Sequence, residues 1–216
     1  LQGTKLRVGE IEGDSIILKK GQKVFLKNVL KSSNPEEIPL PEEKIFKSIK
    51  VNQPIFIDDG KIKLKVIKVS KNIIQARVIL DGILKSKKGI NLPETFLKSS
   101  ALTLSDRRNV RAGNKLGIDW IALSFIQSPQ DIIDLRKLCN KNISIMAKIE
   151  KPMALNHIDK ITEFADGLMI ARGDLGVELP IQDVPGWQKR IIREARIQGK
   201  PVVVSTQMLE AMIVSK

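Results

Sequence analysis

The chain has 216 residues, 42% of them hydrophobic and 4% aromatic with no tyrosine, and its 37 Lys and Arg against 24 Asp and Glu give a formal net charge of +13. That is ample apolar content for a real core in one large or two modest domains, and no apolar run reaches the roughly eighteen residues a membrane-spanning helix needs. One cysteine, Cys139, and one histidine, His157, exclude an internal disulfide and leave zinc sites and Cys-His catalysis without support.

The basic excess is mostly lysine scattered through strand-like and loop segments with little aromatic interleaving, which predicts solvated faces rather than a nucleic-acid surface. The N-terminus shows no basic region leading into an apolar block, so the cytoplasm is the expected compartment.

Residues 1 to about 90 read as β. Segments 5–8, 15–18, 23–26, 54–57, 61–69 and 73–80 alternate apolar with polar residues, the pattern of antiparallel strands with one wet face. Gly13-Asp14, Gly21-Gln22 and Asp58-Asp59-Gly60 punctuate them as turns, and residues 31–43, rich in Ser, Pro and Glu, read as a loop.

From about Gly89 the period changes and strands alternate with helices. Thr103 with Asp106 caps a helix running to about Leu116, and Gly117 ends it. Residues 119–125 form a buried strand. Ser128, Pro129 and Asp131 then open a helix with Ile132, Ile133, Leu135, Leu138 and Cys139 inward, which makes Cys139 packing rather than a nucleophile. Residues 143–150 are the next strand. A helix from Pro152 follows, with Leu155, Ile158, Ile161 and Phe164 on one face, and then a strand over 167–170. A helix over about 184–198, with Trp187, Ile191, Ile192 and Ala195 on one side, stops at Gly199 before a last strand over 201–205. Four βα repeats are half of an eight-stranded barrel, so the chain reads as an excerpt of a larger protein.

The chemistry concentrates at two neighbouring strand ends. One apolar run ends in Lys148, Ile149 and Glu150, and the next, about twenty residues on, in Ala171, Arg172, Gly173 and Asp174. Ligands of parallel sheets sit outside the carboxyl ends of the strands, so Glu150 and Asp174 are expected to face one pocket with Lys148 beside them. Two carboxylates and an ammonium suit a hard cation bound to an anionic substrate. Taken alone, Lys-Ile-Glu would equally be a strand end with a surface ion pair.

Three segments in order carry a resemblance: Lys148-Ile149-Glu150, residues 171–178 (Ala-Arg-Gly-Asp-Leu-Gly-Val-Glu) and residues 206–210 (Thr-Gln-Met-Leu-Glu). Residues 3–7 (Gly-Thr-Lys-Leu-Arg), 57–60 (Ile-Asp-Asp-Gly), 86–93 (Ser-Lys-Lys-Gly-Ile-Asn-Leu-Pro) and 122–125 (Ala-Leu-Ser-Phe) support it. Together they resemble the pyruvate kinase family along essentially the whole chain. The resemblance implies an α/β fold, a partial (β/α)8 TIM barrel with an inserted small β-barrel domain: residues 1–7 a barrel strand end and hinge, 8–88 the inserted lid, 89–216 the partial catalytic barrel.

It also implies Mg2+-dependent phosphoryl transfer from phosphoenolpyruvate to ADP, giving pyruvate and ATP in glycolysis. By it, Glu150 and Asp174 hold Mg2+ or Mn2+, and Lys148 meets the phosphoryl group. The backbone at Ala171, Arg172, Gly173 and Asp174 holds the substrate carboxylate. Thr206 is tied to enolate protonation, Arg7 contacts the phosphate, and Ser124 and Phe125 line the pocket. Asp59 and Lys88 approach the nucleotide from the lid. The expected partners are phosphoenolpyruvate, ADP or ATP and pyruvate, with no nucleic acid and no membrane, in a cytoplasmic homotetramer.

Departures from the family pattern matter too. Gln127 replaces a common Arg, and Thr4 a usual Pro in the turn into the lid. Leu1 and Lys5 stand where many members that need K+ have Thr and Glu, so no K+ requirement is expected, the Lys5 ammonium standing in for the ion. Two other readings stay open: a Mg2+-dependent barrel aldolase or lyase acting on a pyruvate enolate, and an inactive fragment or basic binding module.

Overall fold

The period-two segments fold as strands, and where the period lengthens helices intervene. The computed structural model describes residues 1–3, 5–97, 101–206 and 213. The chain divides into two units, Lys5–Ser99 and Leu1–Thr4 with Ser100–Lys216. Thr4 and residues 207–210 of the third motif lie outside the described residues.

The unit Lys5–Ser99 holds β1 (Glu10–Ile11), β2 (Ser15–Leu18), β3 (Lys23–Lys27), β4 (Lys31–Ser32), β5 (Glu37–Pro39), α1 (Glu43–Ser48), β6 (Pro54–Ile57), β7 (Ile62–Ser70), β8 (Ile73–Leu80), β9 (Gly82–Lys85) and β10 (Ile90–Asn91). Six strands form one sheet in the order β10-β6-β7-β8-β3-β5, and β2 pairs with β9. Alternation sends Ile62, Leu64 and Val66 of β7 inward and Lys63 and Lys65 to solvent. They join Val24, Leu26, Ile55, Ile57, Ile74, Ala76 and Val78 in one apolar core.

Several expectations are corrected here. Residues 31–43 are not a plain loop. β5 lies parallel on β3, with Phe25 opposite Glu37, and β4 lies parallel on β1, so the unit is not purely antiparallel. An ion pair from Lys27 to Glu37 fixes β5 in place, and Pro39 is tolerated because β5 is a sheet edge. Residues 5–8 form no regular strand: Arg7 makes an isolated bridge to Gly89, flanked by Val8 N donating to Lys88 O and Ile90 N to Leu6 O. Those bonds, with β10 paired to β6, tie residues 5–7 and 89–91 into this unit.

The other unit is an alternating α/β arrangement: α2 (Leu104–Leu116), β11 (Trp120–Leu123), α3 (Pro129–Arg136), β12 (Ser144–Ile149), α4 (Pro152–Leu155), α5 (Ile158–Phe164), β13 (Gly167–Ala171), α6 (Arg172–Glu178), a 3-10 turn (Ile181–Asp183), α7 (Val184–Ile197) and β14 (Val202–Ser205). The four strands are parallel neighbours in chain order, the partial (β/α) barrel expected. Leu1 donates to Ala122 O and its carbonyl accepts from Ser124 N, so the first residues run along the free edge of β11.

Local chemistry sets the helix ends. Thr103 and Asp106 form a reciprocal capping box, and Gly117 at φ 67° closes α2 in the left-handed conformation that a Cβ would disfavour. Ser128 and Asp131 do the same for α3 behind Pro129, and Asp131 also accepts from Ala101 N. The predicted helix from Pro152 is two pieces, because the chain leaves helical geometry at His157 (φ −129°, ψ 24°), and Phe164 is exposed instead of sharing the inward face. α3 ends at Arg136, so Leu138 and Cys139 follow the helix and are only partly buried; burial raises the Cys139 thiol pKa. Along β12, Ile145, Ala147 and Ile149 are buried under the helices while Met146 and Lys148 face the other side.

Candidate active site

Period two in β12 puts Lys148 on one face and carries that face on to Glu150, just past the strand end. The two side chains meet, Lys148 Nζ lying 2.6 Å from Glu150 Oε1, with the carboxylate 1% exposed and the ammonium side chain 25% exposed. Ser124, just past β11, accepts a second hydrogen bond from Lys148 Nζ at 2.9 Å. The N–H of Phe125 donates to Glu150 Oε2 at 2.7 Å. Both oxygens of a buried carboxylate are therefore engaged, as burial of a charge requires.

The neighbouring strand supplies the second cluster. In register, Ile149 lies opposite Ile170, and Ala171 opposite Ser205, so Glu150, Asp174 and Thr206 all follow the carboxyl ends of adjacent strands. Such strands lie about 4.8 Å apart. The chain turns from β13 directly into α6, with Ala171 at the N-cap and Asp174, half-buried, in the first helical turn. Arg172 Nε donates to Ser205 O at 3.1 Å, which ties this turn to the end of β14. Gly173 packs against Thr206: a Cβ there would lie 3.2 Å from the threonine methyl. Gly173, Val177, Ile181, Gln188 and Thr206 border an open cleft of about 540 Å3.

The structure thus brings together Lys148, Glu150, Ser124 and Phe125, and separately Arg172, Gly173 and Thr206, along one edge of one sheet. Arg7, Asp59 and Lys88 belong to the other unit. Arg7 bridges Gly89 and donates to Lys87 O at 2.9 Å. Lys88 pairs at 2.9 Å with Asp58, the neighbour of the predicted Asp59. The hydrogen bond from Lys88, foremost, and that from Lys61 outweigh burial and hold the Asp58 carboxyl below the usual carboxylate range. Gln127 is buried, its N–H donating to Asp131.

A divalent cation fits the donors present. Glu150 and Asp174 carry hard oxygen donors just past adjacent strand ends, and no group of three or more His, Cys, Asp or Glu suited to a metal occurs among the described residues. Carboxylate oxygens are the donor type that suits Mg2+ or Mn2+. Sequence reasoning missed the Ser124 hydroxyl and the Phe125 N–H as partners of the Lys148–Glu150 pair. Their one local signal was a Ser at the end of a predicted strand.

The whole chain, residues 1–216, matches the family model for the pyruvate kinase barrel domain. It is 46% identical over 215 residues to a pyruvate kinase of Methylorubrum extorquens and 44% identical over 216 residues to one of Agrobacterium vitis. These matches cover 100% of this chain and 45% and 46% of the relatives. A pyruvate kinase of Thermococcus litoralis is 40% identical over 215 residues, covering 98% of this chain and 45% of the relative. A solved pyruvate kinase from Cryptosporidium parvum superposes with a TM-score of 0.90 at 32% identity, covering 98% of this chain and 45% of that one. The chain spans slightly less than half the length of these curated relatives.

Proposed function

The chain belongs to the pyruvate kinase family, and from that premise we propose that the protein carrying it transfers the phosphoryl group of phosphoenolpyruvate to ADP, forming ATP and an enolate that is protonated to pyruvate. The observation that carries this reading is the Lys148 ammonium held between Ser124 Oγ and the buried Glu150 carboxylate at the strand end. A cation fixed at that edge is positioned to neutralise charge on a transferring phosphoryl group, where positioning and electrostatics supply most of the catalysis.

Glu150 and Asp174 would hold Mg2+ or Mn2+, which would supply positive charge to neutralise the anionic substrate. The N–H groups around Arg172, Gly173 and Asp174 orient the substrate carboxylate, with Ala171 setting the turn. Thr206, beside Gly173, is on the face where the enolate takes its proton. Ser124 and Phe125 line the phosphoryl side of the pocket. Asp59 and Lys88 contact the nucleotide. Lys5 replaces a monovalent cation, so K+ is not required. The working protein is a cytoplasmic homotetramer, and among the described residues no helix is long and apolar enough to cross a membrane.

The test is ATP formation from phosphoenolpyruvate and ADP, read as pyruvate in a coupled assay on a full-length protein carrying this chain and on the 216-residue chain alone. Turnover by the full-length protein is expected. Enolate chemistry without ATP formation would contradict the reading and favour an aldolase or lyase.

A further inference from the structure

The segment after β11 carries two features with no place in the scheme above. Phe125 has φ 56°, the left-handed region, where a bulky aromatic residue is strained. Beneath it Gly3, at φ 65°, approaches so closely that a Cβ would sit 2.8 Å from Ser124 O and 3.4 Å from Ala101 O. The backbone at Ser124 is thus seated on a residue that must be glycine, and the next residue is twisted into an unfavourable conformation.

The twist has a chemical result. At this turn the Phe125 N–H donates to Glu150 Oε2, 2.7 Å away, while the preceding Ser124, 7% exposed, accepts from Lys148 Nζ at 2.9 Å. Two consecutive residues therefore each hold one member of the Lys148–Glu150 pair.

We propose that the Ser124–Phe125 turn, seated on Gly3, is a positioning element that orients Lys148 and Glu150 independently of each other. Phe125 N–H occupies Oε2 and leaves Oε1, now shared with Lys148, as the oxygen that can exchange that ammonium for a divalent cation. Ser124 keeps Lys148 in place when Oε1 changes partner, so the cation-binding carboxylate and the phosphoryl-directed ammonium do not compete. The left-handed strain at Phe125 is the cost of aiming the N–H. This rests on the phosphoryl-transfer reading for its effect on turnover, but not for its effect on metal affinity.

The test uses four variants of a full-length protein, with Mn2+ affinity from the spin resonance of free Mn2+ alongside kcat and KM. A hydrogen bond to a charged group predicts that Ser124→Ala lowers kcat by about tenfold or more, with KM for phosphoenolpyruvate and Mn2+ affinity within about twofold. Ser124→Thr, which keeps the hydroxyl, restores kcat to within about threefold. Phe125→Gly keeps both the N–H and the left-handed turn and holds Mn2+ affinity within about twofold. Phe125→Val, β-branched and averse to positive φ, weakens it by about tenfold. If the Val variant fails to fold in a thermal melt, Phe125→Gly and the Ser124 pair decide. Wild-type kcat in Ser124→Ala, or equal Mn2+ loss in both Phe125 variants, would overturn the proposal. A wild-type protein that binds Mn2+ in this pattern yet makes no ATP would contradict the phosphoryl-transfer reading instead.

Discussion

Lys148 and Glu150, two positions apart on one face of the chain, form a 2.6 Å ion pair in which the carboxylate is 1% exposed. Removing one member of such a pair strands the other charge in a poorly solvated place. Glu150→Gln is therefore expected to cost about 3 kcal/mol of stability, the low end for breaking a buried pair, because Lys148 keeps Ser124 and some solvent. Under the proposed metal role of Glu150, the same change is expected to lower Mn2+ affinity by at least about tenfold. Urea unfolding and Mn2+ titration on the same samples check both, and unchanged Mn2+ affinity would remove Glu150 from the metal site.

At the opposite, amino-terminal end of the strands, Asp166 accepts the Ile145 N–H at 2.7 Å and pairs with Arg136, which itself donates to Ile143 O at 2.8 Å. Burial pushes the Asp166 carboxyl up, but the Arg136 and Ile145 hydrogen bonds outweigh it and the net shift is downward. Asp166→Ala should cost about 1–2 kcal/mol, modest because the pair is more than a third exposed. A depressed carboxyl stabilises the fold above its unfolded value near about 3.9 and stops doing so as pH falls through its folded value. The stability gap between wild type and variant should therefore be full at pH 7 and shrink on acidification below about pH 4. A gap that widens in acid would contradict this.

How far the sequence foretold this architecture depends on how local each determinant is. Thr103, Asp106 and Gly117 mark α2 within its own turns, and Ser128, Pro129 and Asp131 do so for α3; both starts came out as read. The position of Lys148, Glu150 and Asp174 at the ends of two neighbouring strands was legible from the apolar runs that precede them. The left-handed backbone of Phe125 was not, since it packs with Gly3, more than a hundred residues away in sequence. Residues 31–43 read as a loop because two- and three-residue strands show no period, and they are held by partners such as Lys27 and Phe25. The break at His157 carries no Pro or Gly to announce it.

Lys88 pairs with Asp58 rather than reaching freely into solvent. If that ammonium serves the nucleotide, Lys88→Ala should raise KM for ADP by about tenfold while leaving KM for phosphoenolpyruvate within about twofold. Equal rises in both would make Lys88 a fold determinant of its unit instead of a nucleotide contact.

Lys5 gives a prediction about salt. Under the proposed role of Lys5 as a fixed positive charge, initial rates of a full-length protein in K+ and in an equal concentration of a tetraalkylammonium salt should agree within about twofold. Lys5→Glu should create a K+ dependence. Loss of activity of the unmodified protein in K+-free buffer would contradict that role.

The most direct measurement is Lys148→Met in a full-length protein, assayed for ATP formation and, in parallel, for Mn2+ binding. Methionine keeps the length and removes the charge, and Glu150 retains the Phe125 N–H on Oε2. The account predicts Mn2+ affinity within about threefold of wild type and a fall in kcat of at least about a thousandfold, the loss of a cation from a phosphoryl-transfer site. Substantial ATP formation by the Met variant would contradict it.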